Sequence, residues 1–294
     1  PEKGGMAIDG DGWMAVMRAL GHAAAPGPLA ETMVARWLLD QAHVDVPDAP
    51  ITMAHAIYSD PAQGQDIQAR AVPSSGYILI LADQDTTHTA LHLLQRESVE
   101  TRTDQNLASE PLICATISTQ MLQAPAPLIA RSYAQTAQRL LQIARSAQIL
   151  GAAQKSLSMA LDYANVRVQF GRKISKFQAV QNQWAEMAEE VAAATAICSA
   201  AARAVFHPSG TILCQAAAVR LADTADRVAY IGHQVHGAIG MTREYDLQFY
   251  TRRLMAWRNM DDQRTQNAIA LADHFAGCSA DDLWPRLVES FALD

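Results

Sequence analysis

The chain has 294 residues, half of them apolar but only 6% aromatic, and carries a net charge of −7 with a sequence pI of about 5.7. That balance provides no basic field for nucleic acid or an anionic membrane surface. The apolar residues never run close to the ~18 in a row that a membrane-spanning helix needs. Low aromatic and high alanine content favour closely packed helices over a β-sandwich, and the length allows one large or two to three small domains.

The first 48 residues read as a loop and two helices. Trp13, Val16, Met17 and Leu20 follow a helical period, with Gly21 ending the run. After the turn at Pro26-Gly27-Pro28, Met33, Trp37, Leu38 and Ala42 form a second stripe, and Pro47-Asp48-Ala49-Pro50 marks a boundary. Residues 49–124 change character and predict a small β-domain. Val72-Pro73, Tyr77 to Leu81, a Thr/His-rich run to Leu94 and the alternating Leu112 to Thr119 read as short strands.

Residues 125–277 predict long helices. Ile143/Ala144, Ala147, Leu150, Leu157 and Leu161 mark the first. Val180, Trp184, Met187, Val191, Thr195, Cys198, Ala202 and Val205 form the seam of the second, which His207-Pro208 stops. Ala217, Leu221, Thr224, Val228 and Ile231 mark a third. Tyr250, Leu254, Trp257 and Ile269 mark a fourth, giving an antiparallel four-helix bundle. Residues 278–294 form a short tail. The fold class is therefore mainly α.

The four cysteines (Cys114, Cys198, Cys214, Cys278) form no C-x-x-C pair, and Cys198 and Cys214 fall in apolar helical runs as small core residues. That usage fits a reducing cytoplasm. The chain starts at Pro1 in a loop-like stretch without a visible signal peptide, so the natural protein is expected to extend further upstream.

Two stretches carry chemistry. Gln234-Val235-His236-Gly237-Ala238-Ile239-Gly240 follows a helix, and its glycines can break that helix and turn backbone N–H groups toward a phosphate ester. Arg167-Val168-Gln169-Phe170-Gly171-Arg172-Lys173-Ile174-Ser175-Lys176-Phe177-Gln178-Ala179-Val180-Gln181 places a guanidinium at a helix end, where it can fork onto a pyrophosphate or satisfy helix carbonyls. A di-iron site would need Glu-x-x-His on two helices, and no Glu here is followed three positions later by His. His233 and His236 lack matching Cys, His or carboxylate ligands at zinc spacing, and His236 reads as a polar residue at a helix end, so no metal is expected. No Gly-x-Ser-x-Gly, P-loop or Rossmann glycine pattern is present.

Together the two stretches resemble the carboxy-terminal helical domain of the acyl-CoA dehydrogenase family, over roughly residues 130–275. That family carries an Arg-x-x-Phe-Gly-x-x-Ile-x-x-Phe-Gln-x-x-Gln block and a later Gln-x-x-Gly-Gly-x-Gly turn, whose second glycine is Ala238 here. Pro1 to Gly5 and Ala25 to Leu29 are similar to part of its first helical domain, which would be truncated. The resemblance implies FAD as cofactor, an acyl-CoA substrate and an electron-transfer flavoprotein as acceptor. It implies that Arg167 contacts the flavin pyrophosphate and Gln234 the adenylate part. Gln169, Phe170, Ile174, Phe177, Val235, Gly237 and Ala238 would line the same cleft.

The reaction of that family needs a carboxylate beside the substrate α-carbon. Counting from Gln234 places Asp261 at one common base position. The other falls at Leu141, with Gln142 where an Arg often contacts CoA, and no carboxylate lies between Ser132 and Lys155. The Thr-Glu-Pro-like loop and Gly-x-Lys strand that hold the flavin ring in the family are not found in the short β-domain. These departures point to a short subunit of a heteromeric assembly that completes the FAD site of a longer homologous partner. Such assemblies are associated with bulky, sterol-derived acyl-CoA. The alternatives are a homomeric dehydrogenase using Asp261, a flavin-dependent monooxygenase or nitroalkane-type oxidase of the same fold, and a flavin-free structural subunit.

Overall fold

The computed structural model describes residues 8–55, 67–207, 209–258, 260 and 263–291. The chain divides into two compact units, one of residues 1–25 and 142–294, the other of residues 26–141.

The first unit is helical: α1 (Gly10–His22), α3 (Arg131–Val166) from Gln142 onward, α4 (Gln178–Arg203), α5 (Gly210–His236), α6 (Leu247–Arg258), α7 (Gln263–Phe275) and α8 (Ala280–Phe291). Asp9 caps α1 by accepting from the Gly12 amide at 2.8 Å. The helix ends at His22, one residue past Gly21, and the glycine also serves its packing. A Cβ there would lie 1.9 Å from the Gln148 carbonyl, and one at Gly151 2.0 Å from the Arg18 carbonyl. The two glycines let the backbones of α1 and α3 touch. The buried stripe of α1 runs through Trp13, Met14 and Met17, leaving Val16 exposed, one position away from the expected set.

Helix α5 packs against α4, α6 and α7. Its expected seam, Ala217, Leu221, Thr224, Val228 and Ile231, is fully buried, as the spacing of three and four requires. Ion pairs stitch the rims of these contacts: Glu190 to Arg220 at 2.9 Å and Glu186 to Arg227 between α4 and α5, Asp226 to Arg258 toward α6, and Asp223 to Arg264 toward α7. The run expected as one fourth helix is two elements, α6 and α7, and Ile269 on α7 is 57% exposed rather than part of a seam. Cys198 and Cys214 are buried as expected, and burial pushes the Cys198 thiol up to about 12.

The second unit contains α2 (Leu29–Gln41) and two sheets. Strands β1 (Ile51–His55), β3 (Tyr77–Asp83), β4 (His88–Gln95) and β7 (Leu128–Ala130) form one sheet in the order β1-β3-β4-β7, with β1 parallel to β3 and the rest antiparallel. Strands β2 (Ile67–Ala71), β6 (Pro111–Ile117) and β5 (Glu100–Gln105) form the other, all antiparallel. Val72-Pro73, expected in a strand, follow β2 in a turn where the Ser75 amide donates to the Val72 carbonyl at 2.9 Å. Thr32 of α2 both donates to and accepts from the Ile51 backbone at 3.0 Å, fixing β1 to the helix.

The core between the sheets consists of Ile78, Ile80 and Ala82 from one sheet and Ile113, Ala115 and Ile117 from the other, with Val99. His92 pairs in register with Ile80, so the period of two places its ring on the face of Ile78, Ile80 and Leu94. It is 5% exposed, and its Nε2 has no hydrogen-bond partner among the described residues. Burial holds its pKa below the ordinary imidazole value.

Candidate functional site

Helix α3 stops at Val166, and the Arg167 amide donates to the Tyr163 carbonyl at 2.9 Å. The chain then folds into a small hairpin of β8 (Val168–Gln169) and β9 (Arg172–Lys173). Its two turn residues, Phe170 and Gly171, have φ of +51° and +77°. A two-residue hairpin of this hand needs positive φ at both positions. Glycine supplies it freely; for Phe170 it costs on the order of 1 kcal/mol. Phe170 is also 92% exposed. The Ile174 amide donates to the Arg167 carbonyl at 2.9 Å and closes the hairpin at its root.

Phe177 starts α4 and meets Phe170 edge-on at 6.1 Å, with the Arg172 guanidinium 4.2 Å above its ring. Gln181 donates from Nε2 to the Ser175 carbonyl at 3.0 Å. Arg167, Gln169, Arg172, Lys173 and Lys176 are all exposed, while Ile174 and Phe177 are half-buried. The hairpin therefore presents four cations to solvent on a chain whose net charge is −7.

Helix α5 stops one residue after Val235, at His236, where Gly237 adopts φ +62°. A 3-10 turn over Gly237–Met241 follows. Gln234, Gly237 and Ala238 are exposed, and Val235 is buried. Ala238 lies inside the 3-10 turn and is not among the positive-φ residues, so its backbone accepts the Ala that replaces the family's second glycine. A Cβ added at Gly237 or at Gly171 would meet nothing within 4 Å, so both turns face open space.

A ring cluster joins these two chain ends. His236 stacks on Tyr163 at 4.7 Å with an interplanar angle of 22°, and meets Tyr245 at 4.8 Å. Tyr163 and Tyr245 meet edge-on at 5.9 Å. His236 is 3% exposed, and its Nδ1 donates to the Gly232 carbonyl at 2.7 Å. Burial is the larger influence on His236 and lowers its pKa, so the ring is neutral near pH 7. His233, lowered for the same reason, pairs with Thr251 Oγ1 at 3.0 Å.

The structure thus brings the roots of both sequence stretches to one cluster, and the side chains of Arg167 and Gln234 are both exposed. Asp261 lies outside the described residues. Gln142 donates to Asn267 Oδ1 at 2.8 Å, tying α3 to α7. Among the described residues no group of His, Cys, Asp and Glu could hold a metal ion, and no helix is long and apolar enough to cross a membrane. Sequence reasoning missed the buried role of His236 and the part of Tyr163 and Tyr245. A signal was available: positions 228, 232 and 236 continue the buried side of α5 in steps of four.

Residues 132–261 match the model of the acyl-CoA dehydrogenase C-terminal domain. Acyl-CoA dehydrogenase IpdE2 of Mycobacterium tuberculosis is 38% identical over 110 residues, covering 37% of this chain and 33% of that protein. The matched part thus spans about a third of that relative's length. In fold, a chain of the ChsE4-ChsE5 complex from Mycobacterium tuberculosis superposes with a TM-score of 0.80 at 20% identity, covering 95% of this chain and 84% of that one. The Tcur3481-Tcur3483 steroid ACAD G363A variant follows with a TM-score of 0.77 at 19% identity, covering 93% and 83%. Residues 132–261 therefore belong to the acyl-CoA dehydrogenase family as its C-terminal domain, and the chain carries that family's fold.

Proposed function

We propose that this chain is a subunit of an acyl-CoA dehydrogenase in which FAD lies across a subunit interface, and that it supplies the grip on the dinucleotide. The observation that carries this reading is the joining of the chain ends that bear two exposed polar arms, Arg167 and Gln234, through one ring cluster centred on the buried His236. The residues present fit FAD. A guanidinium forks onto a diphosphate, a carboxamide suits an adenine or ribose edge, and the turns at Gly171 and Gly237 leave space beside the backbone. When bound, FAD supplies the acceptor for the β-hydride in α,β-dehydrogenation of an acyl-CoA.

On this reading Arg167 neutralises the pyrophosphate, assisted by the cationic hairpin. Gln234 and the 237–238 backbone hold the adenylate part. Phe170, Ile174, Phe177 and Val235 give the cleft an apolar lining that excludes water, and Gln169 borders it. The base belongs to a longer homologous partner. Gln142 supports this assignment: it stands where the resemblance puts a CoA-contacting Arg, and it is bonded to Asn267 instead. The names of the two structural neighbours, each a pair of different chains and one a steroid ACAD, favour a heteromer acting on a bulky acyl-CoA. An electron-transfer flavoprotein is the acceptor in this proposal.

Purification from the native cell tests it: a yellow complex with a second, longer chain is expected. Full flavin loading and turnover by this chain alone would defeat the heteromeric reading and return the base to Asp261.

A further inference from the structure

We infer that His236 is a positioning residue that locks the glycine turn after α5 to the root of the hairpin after α3. The inference rests on the proposed function, because a dinucleotide gripped by both Arg167 and Gln234 requires those two chain ends in fixed register.

Three contacts hold the ring, and a fourth packs against the base of its side chain. The Gly232 carbonyl can only accept, so the 2.7 Å bond puts the proton on Nδ1 and fixes both tautomer and ring orientation. Tyr163, stacked at 4.7 Å, sits one helical turn before Arg167 and accepts the Arg167 amide on its own carbonyl. Tyr245, at 4.8 Å, belongs to the chain leaving the glycine turn. Gly240 closes the circle: a Cβ there would come within 2.9 Å of His236 Cβ, so the turn lies directly on the histidine. Any rotation of the end of α5 must therefore push on Tyr163, and through it on the backbone that carries Arg167. An aromatic ring of this size, free of charge and buried at 3% exposure, transmits that push because close-packed interiors deform little.

Amide hydrogen exchange on the purified 294-residue chain reads the link without any flavin. His236→Ala is expected to speed exchange at 237–242 and, across the stack, at 167–174 by about tenfold. Tyr163→Leu, on the other helix, should speed exchange at 237–242. His236→Phe keeps the stack and should return 167–174 to within about twofold of the parent. ADP, used as the probe, should bind the parent and His236→Phe comparably and His236→Ala about tenfold more weakly. The inference is overturned if His236→Ala loosens only its own turn and leaves 167–174 at the parent rate, or if His236→Phe fails to rescue. Exchange coupling in a parent chain that ignores ADP would support the mechanical link while counting against the dinucleotide reading, so the two failures are separable.

Discussion

The two units solve the packing problem in opposite ways. In the helical unit, backbones touch: Gly21 and Gly151 sit where any side chain would collide with the carbonyls of Gln148 and Arg18. In the β unit, two sheets are held apart by a single layer of side chains, Ile78, Ile80, Ile113 and Ile117 among them, with one imidazole buried in that face. The first arrangement is intolerant of added atoms and the second of removed ones. The candidate site is built at the ends of α3 and α5, and the glycine crossing anchors the first of these helices against α1.

The largest expected effect breaks the glycine crossing. Gly151→Val puts branched carbons into the Arg18 carbonyl and should cost about 3 kcal/mol or more, enough to leave little folded protein in a urea titration. The opposite operation on the β unit comes next. Ile80→Ala empties the layer between the sheets and should cost about 2–5 kcal/mol by the same titration. A Gly-like tolerance at 151, or a neutral Ile80→Ala, would erase the contrast between the units.

Arg167→Ala tests the helix ends rather than the packing. It removes an exposed cation and should leave the melting temperature unchanged. A lost charge-assisted bond of about 1.5–3 kcal/mol should lower FAD affinity of the native complex roughly ten- to hundredfold, read by flavin release. Unchanged flavin retention would remove Arg167 from the site.

The pH dependence sharpens the difference further. His92 is neutral in the fold, with a pKa held below its ordinary value near 6.5 by burial, whereas the unfolded chain takes up a proton near that value. Its stabilising contribution is therefore complete above about pH 6.5 and is lost as pH falls below it, by at most about 1.4 kcal/mol per pH unit. His92→Leu should flatten this acid limb in a urea titration series; an unchanged slope would mean another group titrates. The smallest effect is on the rim. Glu186→Gln removes a part-exposed partner of Arg227 and should cost no more than about 1 kcal/mol.

The helical seams were legible because their spacing is local. Met187, Val191, Cys198 and Ala202 on α4 are buried as read, and so is the whole expected seam of α5. The stop at Gly237 was legible for the same reason, since it depends on a glycine at one position, whereas the hairpin turn at Phe170-Gly171 was not read. The stripe of α2 was displaced: Ala30, Val34, Ala35, Leu38 and Leu39 are its buried residues, while Met33 and Trp37 are half-buried. Periodicity gives the phase of a helix only to within about one residue when the apolar face is broad. The Val72-Pro73 pair, read as strand, and the single fourth helix were misread because turns and breaks there depend on what packs alongside.

The sequence by itself determined the main helices α3 to α5, where two of them end in polar, glycine-bearing turns, and which family the stretch 132–261 belongs to; it missed α8 in the tail. These are properties of residues near one another along the chain: side-chain period, glycine at the stops, motif spacing. Only the tertiary structure decided that Tyr163, His236 and Tyr245 form one cluster, that Gly21 and Gly151 face each other's helices, and that His92 lies between two sheets. Each of those depends on which distant segments meet. That is fixed by close packing of the whole unit, a condition that no local pattern records.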